Sequence, residues 1–389
     1  MNEVQKPLVL VFSTAYKPFI GGAELAVQEI ARRLKNEYEF IIITARFQLA
    51  LRKIEKVSEG TIIRLGFGVS WLDKLLLPFF GTIVALRIIR QSSLQNPPII
   101  LWGTMVSYAS IAAFFVKIFR QAIPFVLTIQ EGNIEWEPSM RRAGWRTFWW
   151  RFIFKKVDHV TAISNFLAVR VREKGYIGPI SIVPNGVDEK LLEWRPGRDQ
   201  ISFGDPVSKR TPIIFSASRL VYKNGIDILL EAAAKLKDEF DFKIVLAGDG
   251  RESEKLKVKS EKLGIQSRIK FLGNVPYGQL PEFYKKADIF VRPSRSEGLG
   301  SAFLEAMAAG LITIGTPVGG IPDFLEDRKT GFLAKPNDAD DLARVMRKTF
   351  HMNDGERNAM IERARSMIRE RYLWNNIAEQ INVLFNKAF

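Results

Sequence analysis

The sequence predicts an α/β fold of two Rossmann-like parallel-sheet domains facing a central cleft. Three observations lead there. The chain has 389 residues, enough for two domains at roughly 100–200 residues each. Short apolar runs alternate with amphipathic stretches in both halves, the pattern of parallel strands covered by helices on both faces. Between the halves, EWRPGRDQISFGDPVSKRTP (Glu193–Pro212) turns polar and rich in Gly, Pro and charge, which marks a linker. The resulting division is an N-terminal domain over 1–195, a linker over 196–212, a C-terminal domain over 213–370 and a terminal helix over 371–389.

The elements follow in order. Leu8–Phe12 is an unbroken apolar run and reads as a buried strand. Gly21-Gly22 forms a loop, Glu24–Leu34 has helical spacing, and Phe40–Thr44 is the next strand. Further strands are expected at Ile99–Trp102, Phe125–Ile129, His159–Ala162 and Ser181–Val183. The second half begins with strand Ile213–Ala217 and helix Ile226–Lys237. Strand Lys243–Ala247, helix Glu252–Leu263, strand Ile269–Leu272 and helix Gln279–Lys286 follow. Two apolar segments, Asp288–Arg292 and Leu311–Thr316, flank a further helix. The last stretch, Arg371–Phe389, places Trp374, Ile377, Ile381, Leu384 and Phe385 near helical spacing and is expected to cross back to the first domain.

Composition narrows the function classes. Apolar residues make up 47% and charged residues 25%, ordinary for a globular protein. There is no cysteine, so disulfides, thiolate metal sites and a Cys nucleophile are excluded. The start MNEVQKPLVLVFSTAY has too short an apolar run for a signal peptide, and a cytoplasmic location is expected. Residues 91–116 carry no formal charge, yet Pro97-Pro98, Gly103, Thr104, Ser107, Tyr108 and Ser110 interrupt them. A buried strand, a turn and a packed helix fit that texture better than a membrane span.

The most informative run is SEGLGSAFLEAMAAG, where Glu297 and Glu305 stand eight residues apart between two strand-like segments. It reads as strand, glycine-containing loop, helix, strand. Gly298, Leu299, Gly300 and Ser301 would form a helix start with free backbone N–H groups, which favour an anionic ligand. Glu305, about a turn into the helix, can accept hydrogen bonds from sugar hydroxyls. Alone, such a pair reads rather as an ordinary surface pair around a strand–helix turn. Arg219 and Lys223 follow the strand Ile213–Ala217, where two cations can neutralise a diphosphate. Together these residues suggest a nucleotide-sugar site.

Six co-linear segments then point to one family. ADIFVRPSRSEGLGSAFLEAMAAGLITIGTPVGGIPDFLEDRKTGFL (Ala287–Leu333), SASRLVYKNGIDILLEA (Ser216–Ala232), LAGDG (Leu246–Gly250), AISNF (Ala162–Phe166), VPNGVD (Val183–Asp188) and GGAE (Gly21–Glu24) together resemble the retaining family 4 glycosyltransferases. The resemblance covers nearly the whole chain and implies GT-B architecture. It also implies a nucleotide-diphosphate-sugar donor on the C-terminal domain and an acceptor on the N-terminal one. On the matching positions, Glu305 would hold the donor ribose, Glu297 would touch the transferred sugar, and Gly298–Ser301 would meet sugar and phosphates. Arg219 and Lys223 would contact the phosphates, Gly273–Val275 would line the base, and Gly21 and Gly22 would approach the diphosphate and acceptor.

Two departures stand out. Where the family more often has Lys-Gly, this chain has Lys223-Asn224-Gly225. Many members also carry a His after the strand Phe125–Ile129, where this chain has Gln130 and Glu131. Gln cannot act as a base at neutral pH; Glu131 can serve as a base, as an ion-pair partner to a positive sugar, or simply as a hydroxyl ligand. Other GT-B reactions (an epimerase or a sugar-phosphate synthase) and a non-catalytic nucleotide-sugar sensor remain as alternatives. No metal is expected, because no strand-end Asp-x-Asp is present and Asp338-Ala339-Asp340 suits a helix start.

Charge adds a partner expectation. The net charge is +15, and residues 74–174 hold 14 basic against 5 acidic side chains. Trp71–Arg90 and Arg141–Lys156 mix cations with large apolar groups, which suits an anionic membrane surface. A lipid-linked or membrane-embedded acceptor would follow. The same aromatics equally suit a domain core. No nucleic-acid module accompanies the charge.

Overall fold

A computed structural model describes residues 6–92, 97–130, 149–193 and 211–388. Contacts divide the chain into two compact units, one of residues 1–185 with 374–389 and the other of residues 186–373. Glu131, most of the 196–212 linker, and Trp145, Arg146 and Phe148 of the aromatic–basic segment lie outside the described residues.

The first unit is built on an eight-stranded sheet with the order β3-β4-β2-β1-β5-β6-β7-β8. These strands are β1 (Leu8–Phe12), β2 (Glu39–Ala45), β3 (Ile54–Val57), β4 (Gly60–Leu65), β5 (Ile99–Thr104), β6 (Phe125–Ile129), β7 (His159–Ala162) and β8 (Ile180–Ile182). Every pairing is parallel except the β3–β4 hairpin. All five residues of β1 are buried, as expected of a central strand with helices on both faces. The β3–β4 hairpin and the helix Ser70–Ser92 were not anticipated as elements. β3 is exposed or half-buried along its length, so it lacks the apolar run that reveals a strand. The uncharged stretch resolves into β5, a turn and the helix Tyr108–Phe119. No helix among the described residues is long and apolar enough to cross a membrane.

The helix Trp374–Ala388 belongs to this first unit. Trp374, Ile377, Ile381 and Phe385 are buried in the core cluster that holds Tyr38, Phe40 and Trp102. The Phe385 ring stands edge-on to Tyr38 and to Trp102 at 5.6 Å, and the Tyr38 hydroxyl donates to Asn382 Oδ1 at 2.8 Å. Gly186–Glu193, placed with the N-terminal domain by the sequence reading, groups instead with the second unit. The Val187 N–H donates to the Tyr372 carbonyl at 2.7 Å, and Arg365 donates to the Leu192 carbonyl. These contacts outweigh sequence proximity.

The second unit carries a six-stranded, wholly parallel sheet with the order β11-β10-β9-β12-β13-β14. Its strands are β9 (Ile213–Ala217), β10 (Lys243–Ala247), β11 (Ile269–Phe271), β12 (Ile289–Val291), β13 (Ile312–Gly315) and β14 (Phe332–Leu333). In each sheet the winding direction reverses once, between β1 and β5 in the first and between β9 and β12 in the second. Ligands of open parallel sheets bind beyond the carboxyl ends of the strands at such reversals.

Candidate active site

In the second unit the reversal brings together the loops that follow β9 and β12. The β9 loop is held by its own polar groups. Asn224 is buried, and its amide donates to the Arg219 carbonyl at 2.6 Å. Gly225 has φ +68, and a Cβ there would lie 1.9 Å from the Pro293 carbonyl oxygen. Only glycine fits both the left-handed backbone and that approach. The Lys-Asn-Gly departure therefore has a structural use, because the Asn shapes the loop that carries Arg219.

Arg295 stitches the two loops. Its backbone N–H donates to the Lys223 carbonyl at 2.7 Å, its guanidinium pairs with both oxygens of Asp227 at 2.8 and 2.7 Å, and it lies 4.0 Å from the Tyr222 ring centre. Burial alone would raise the Asp227 pKa, but the Arg295 hydrogen bonds and charge hold it below its ordinary value.

The β12 loop presents Glu297. Arg292, buried at the strand end, donates to Glu297 Oε2 at 2.6 Å, and the Gly298 N–H donates to Oε1 at 3.1 Å. The same guanidinium lies 4.7 Å from the Phe303 ring centre. Gly319, from the loop after β13, has φ +58, and a Cβ there would meet the Glu297 carbonyl oxygen at 1.7 Å. Gly300 has φ +100 and caps the helix Ser301–Ala308, so Gly298, Leu299, Gly300 and Ser301 lie at a helix start, where backbone N–H groups lack intrahelical partners, and the Gly298 N–H is taken up by Glu297.

Glu305 sits in that helix and is 5% exposed. Tyr284 Oη donates to Glu305 Oε2 at 2.8 Å. Burial raises the Glu305 pKa, while hydrogen bonds from Tyr284 and Tyr277 oppose the shift. Tyr284 is pushed far up by burial and by the adjoining carboxylate. Arg219, Asp249, Val275, Tyr277 and Glu305 line a cavity of about 640 Å³. Gly248 lines it too, its N–H donating to the carbonyl of Gly273, which itself stands outside the wall, at 2.7 Å. A cation, a buried carboxylate and an apolar and aromatic wall therefore share one space of ligand size. Lys223 and Glu297 belong to the adjoining loops rather than to the cavity wall.

The first unit gathers its own set. Gly21 caps the helix Gly22–Leu34, its N–H donating to Glu24 Oε2 at 2.8 Å. Burial raises the Glu24 pKa against the pull of those backbone N–H groups. A Cβ on Gly22 would lie 3.8 Å from the Asn185 amide nitrogen, and that nitrogen donates to Gln130 Oε1 at 3.3 Å. Gly21, Gly22 and Gln130, expected separately from sequence, are thus neighbours through Asn185. Among the described residues no group of three or more His, Asp or Glu side chains converges to hold a metal ion.

Sequence reasoning missed Arg292, Arg295, Tyr284, Asn185 and Gly319 as site-shaping residues. Arg292 had a legible signal: a charge ending the apolar run IFV. The others gain meaning only from partners distant in the chain.

Two parallel-sheet α/β units, each with one reversal of winding, give the architecture of the GT-B class of protein. Residues 20–191 match the family model described as Glycosyltransferase Family 4, and residues 197–367 match that described as Glycosyl transferases group 1. The chain belongs to this glycosyltransferase family. It is 27% identical over 239 residues to the phosphatidylinositol N-acetylglucosaminyltransferase gpi3 subunit of Schizosaccharomyces pombe, covering 61% of this chain and 50% of that one. The chain spans about half the length of the first curated relatives it matches. Over 375 residues it is 25% identical to the N-acetyl-alpha-D-glucosaminyl L-malate synthase of Bacillus anthracis, covering 95% and 94% of the two. Among solved structures, Anabaena Alr3699/HepE in complex with UDP and glucose superposes with a TM-score of 0.75 at 18% identity, covering 98% of this chain and 100% of that one. That likeness concerns the fold alone.

Proposed function

We propose that the chain transfers a hexose-type sugar from a nucleotide diphosphate sugar to an acceptor hydroxyl with retention of configuration. The observation that carries this reading is the cavity at the β9–β12 reversal, with buried Glu305 on its wall and Arg219 at its rim. Glu305 accepts hydrogen bonds from the donor ribose, and Val275 and Tyr277 flank the base. Arg219 and Lys223 balance the diphosphate, Arg as a planar fork and Lys as a point charge. The N–H groups of Gly298–Ser301 meet the sugar and its phosphate, and Glu297, oriented by Arg292, binds a sugar hydroxyl.

The bond from sugar C1 to the phosphate oxygen breaks as a bond to the acceptor oxygen forms on the same face. The acceptor proton passes to the departing phosphate. This route needs no His after β6. Gln130, whose amide oxygen accepts from Asn185, is a positioning group in the first unit beside Gly21 and Gly22, and Glu131 supports the positive sugar. The two cations and the helix N–H groups stabilise the leaving diphosphate, so no metal is required. The acceptor is a glycan or a lipid-linked precursor, bound by the first unit.

A panel of nucleotide sugars tests this, read by nucleoside diphosphate release and by the anomeric configuration of the product in NMR spectra. A slow release without acceptor, persisting in EDTA, is expected. Binding with no release from any donor would favour a sensor, and an inverted product would overturn the mechanism.

A further inference from the structure

The helix Ser70–Ser92 has an unusual surface. Its buried face (Leu77, Gly81, Ala85 and Ile89 among others) packs into the first unit. Its outer face is apolar as well. Trp71 is 66% exposed, Leu75 47%, Phe79 65% and Ile83 47%. A four-residue spacing places them in one stripe along the helix, about 18 Å long at 1.5 Å per residue. Arg87 and Arg90 continue the exposed side beyond Ile83.

The charge on this helix is one-sided. Its single acidic residue, Asp73, is fully buried. Both Asp73 oxygens are occupied by backbone N–H groups, from Phe67 at 2.7 Å, Gly68 at 2.9 Å and Phe47 at 3.1 Å. That carboxylate locks the loops after β2 and β4 against the helix start and holds their aromatics in place. Phe67 and Leu49 are exposed there, and Lys74 Nζ lies 5.2 Å from the Phe47 ring centre. Phe47 in turn contacts Phe19 at 5.7 Å. Phe19 and Ile20, both exposed, immediately precede Gly21-Gly22. The apolar surface therefore runs from the stripe to the carboxyl edge of the first sheet, beside the loop assigned to the acceptor.

We propose that this stripe is a docking surface for an anionic lipid bilayer. One helix face is already buried in the protein, so the helix lies in the headgroup boundary instead of spanning it. Trp and Phe at the boundary, Lys74, Arg87 and Arg90 about it and no exposed carboxylate on the helix match an anionic surface. The other aromatic–basic segment differs: of its described residues, Trp150, Ile153 and Phe154 are buried core. Among the described residues, only the first of the two segments proposed from sequence offers a continuous apolar face. A consequence, which rests on the proposed transfer reaction, is that the acceptor hydroxyl is borne by a lipid held in the same membrane.

Vesicle flotation of the full chain tests the surface without relying on catalysis. Wild type should float with vesicles of phosphatidylcholine and phosphatidylglycerol at low salt, less at high salt, and little with phosphatidylcholine alone. Phe79→Glu with Leu75→Glu should lower partitioning about tenfold or more, while nucleoside diphosphate affinity stays unchanged. Trp71→Ala, the milder variant, should weaken partitioning partially and guards against a folding defect. Unaltered flotation in all variants, or absence of flotation at low salt, would overturn the proposal. So would a wild-type dimer by light scattering that Phe79→Glu dissociates, since that would assign the stripe to a second copy. Failed donor turnover with intact flotation would count against the transferase reading alone.

Discussion

Glu305 and Glu297 are both carboxylates of one short segment, yet their surroundings give them different physics. Glu305 is buried beside Tyr284, and its pKa lies above the ordinary 4.5 because burial disfavours the charge. The folded chain then holds this proton more tightly than the unfolded chain. Ionising it costs stability as pH rises from the unfolded value through the folded one, and above that the cost is complete. Glu305→Gln should therefore match or exceed wild type in melting temperature at pH 8 without ligand, with the advantage vanishing below pH 4.5. Donor affinity should fall at neutral pH by about 1.5–3 kcal/mol, the worth of a charged hydrogen bond. Calorimetry across pH and isothermal titration check the two halves. Glu297 is instead paired with Arg292, whose side chain is 7% exposed against 15% for its partner. Arg292→Met leaves that carboxylate uncompensated and should cost about 3 kcal/mol. Denaturant unfolding would show it, and no loss would mean that the pair is replaceable by water.

The two loops of the second unit depend on backbone geometry that few residues can adopt. Gly225 closes the β9 loop against the Pro293 carbonyl, and Gly319 closes the β13 loop against the Glu297 carbonyl. Both combine positive φ with a contact that leaves no room for a Cβ. Gly225→Ala should lower stability by about 2 kcal/mol or more through left-handed strain and the forced separation of the two loops. It should also weaken donor binding, since Arg219 and Lys223 ride on the displaced loop. A melt together with a nucleoside diphosphate titration measures both; unchanged affinity would show that the cations do not need this loop shape. The sequence does not show why these positions need glycine, because the carbonyls that exclude a Cβ lie 68 and 22 residues away in the chain and on other loops.

For the whole chain, the terminal helix is the test of how far folding units follow chain order. Phe385 wedges between Tyr38 and Trp102, residues more than 280 positions earlier. Phe385→Ala should cost about 3–5 kcal/mol by opening a cavity. Hydrogen exchange should locate the lost protection in β1, β2 and β5, with β9–β13 unaffected. Loss confined to the second sheet would contradict the membership of this helix in the first unit.

Much was legible because it is periodic or local. Apolar runs such as Leu8–Phe12 and Ile213–Ala217 identify strands because a strand buried on both faces needs an unbroken apolar run. The glycine-bounded helix start at Gly298–Ser301 is a local signature, as is the motif order that led to the family. The β3–β4 hairpin escaped because half-exposed strands carry no such run. Tertiary structure alone decided which charges are paired and which border the cavity: Arg295 is consumed by Asp227, whereas Arg219 lines the cavity wall. It also decided which of the described aromatics are core and which are surface, since Trp71 and Trp150 look alike in the sequence and differ only in what packs over them. Periodicity and turn chemistry are properties of neighbours in the chain, whereas burial and ion pairing are set by residues brought together from afar.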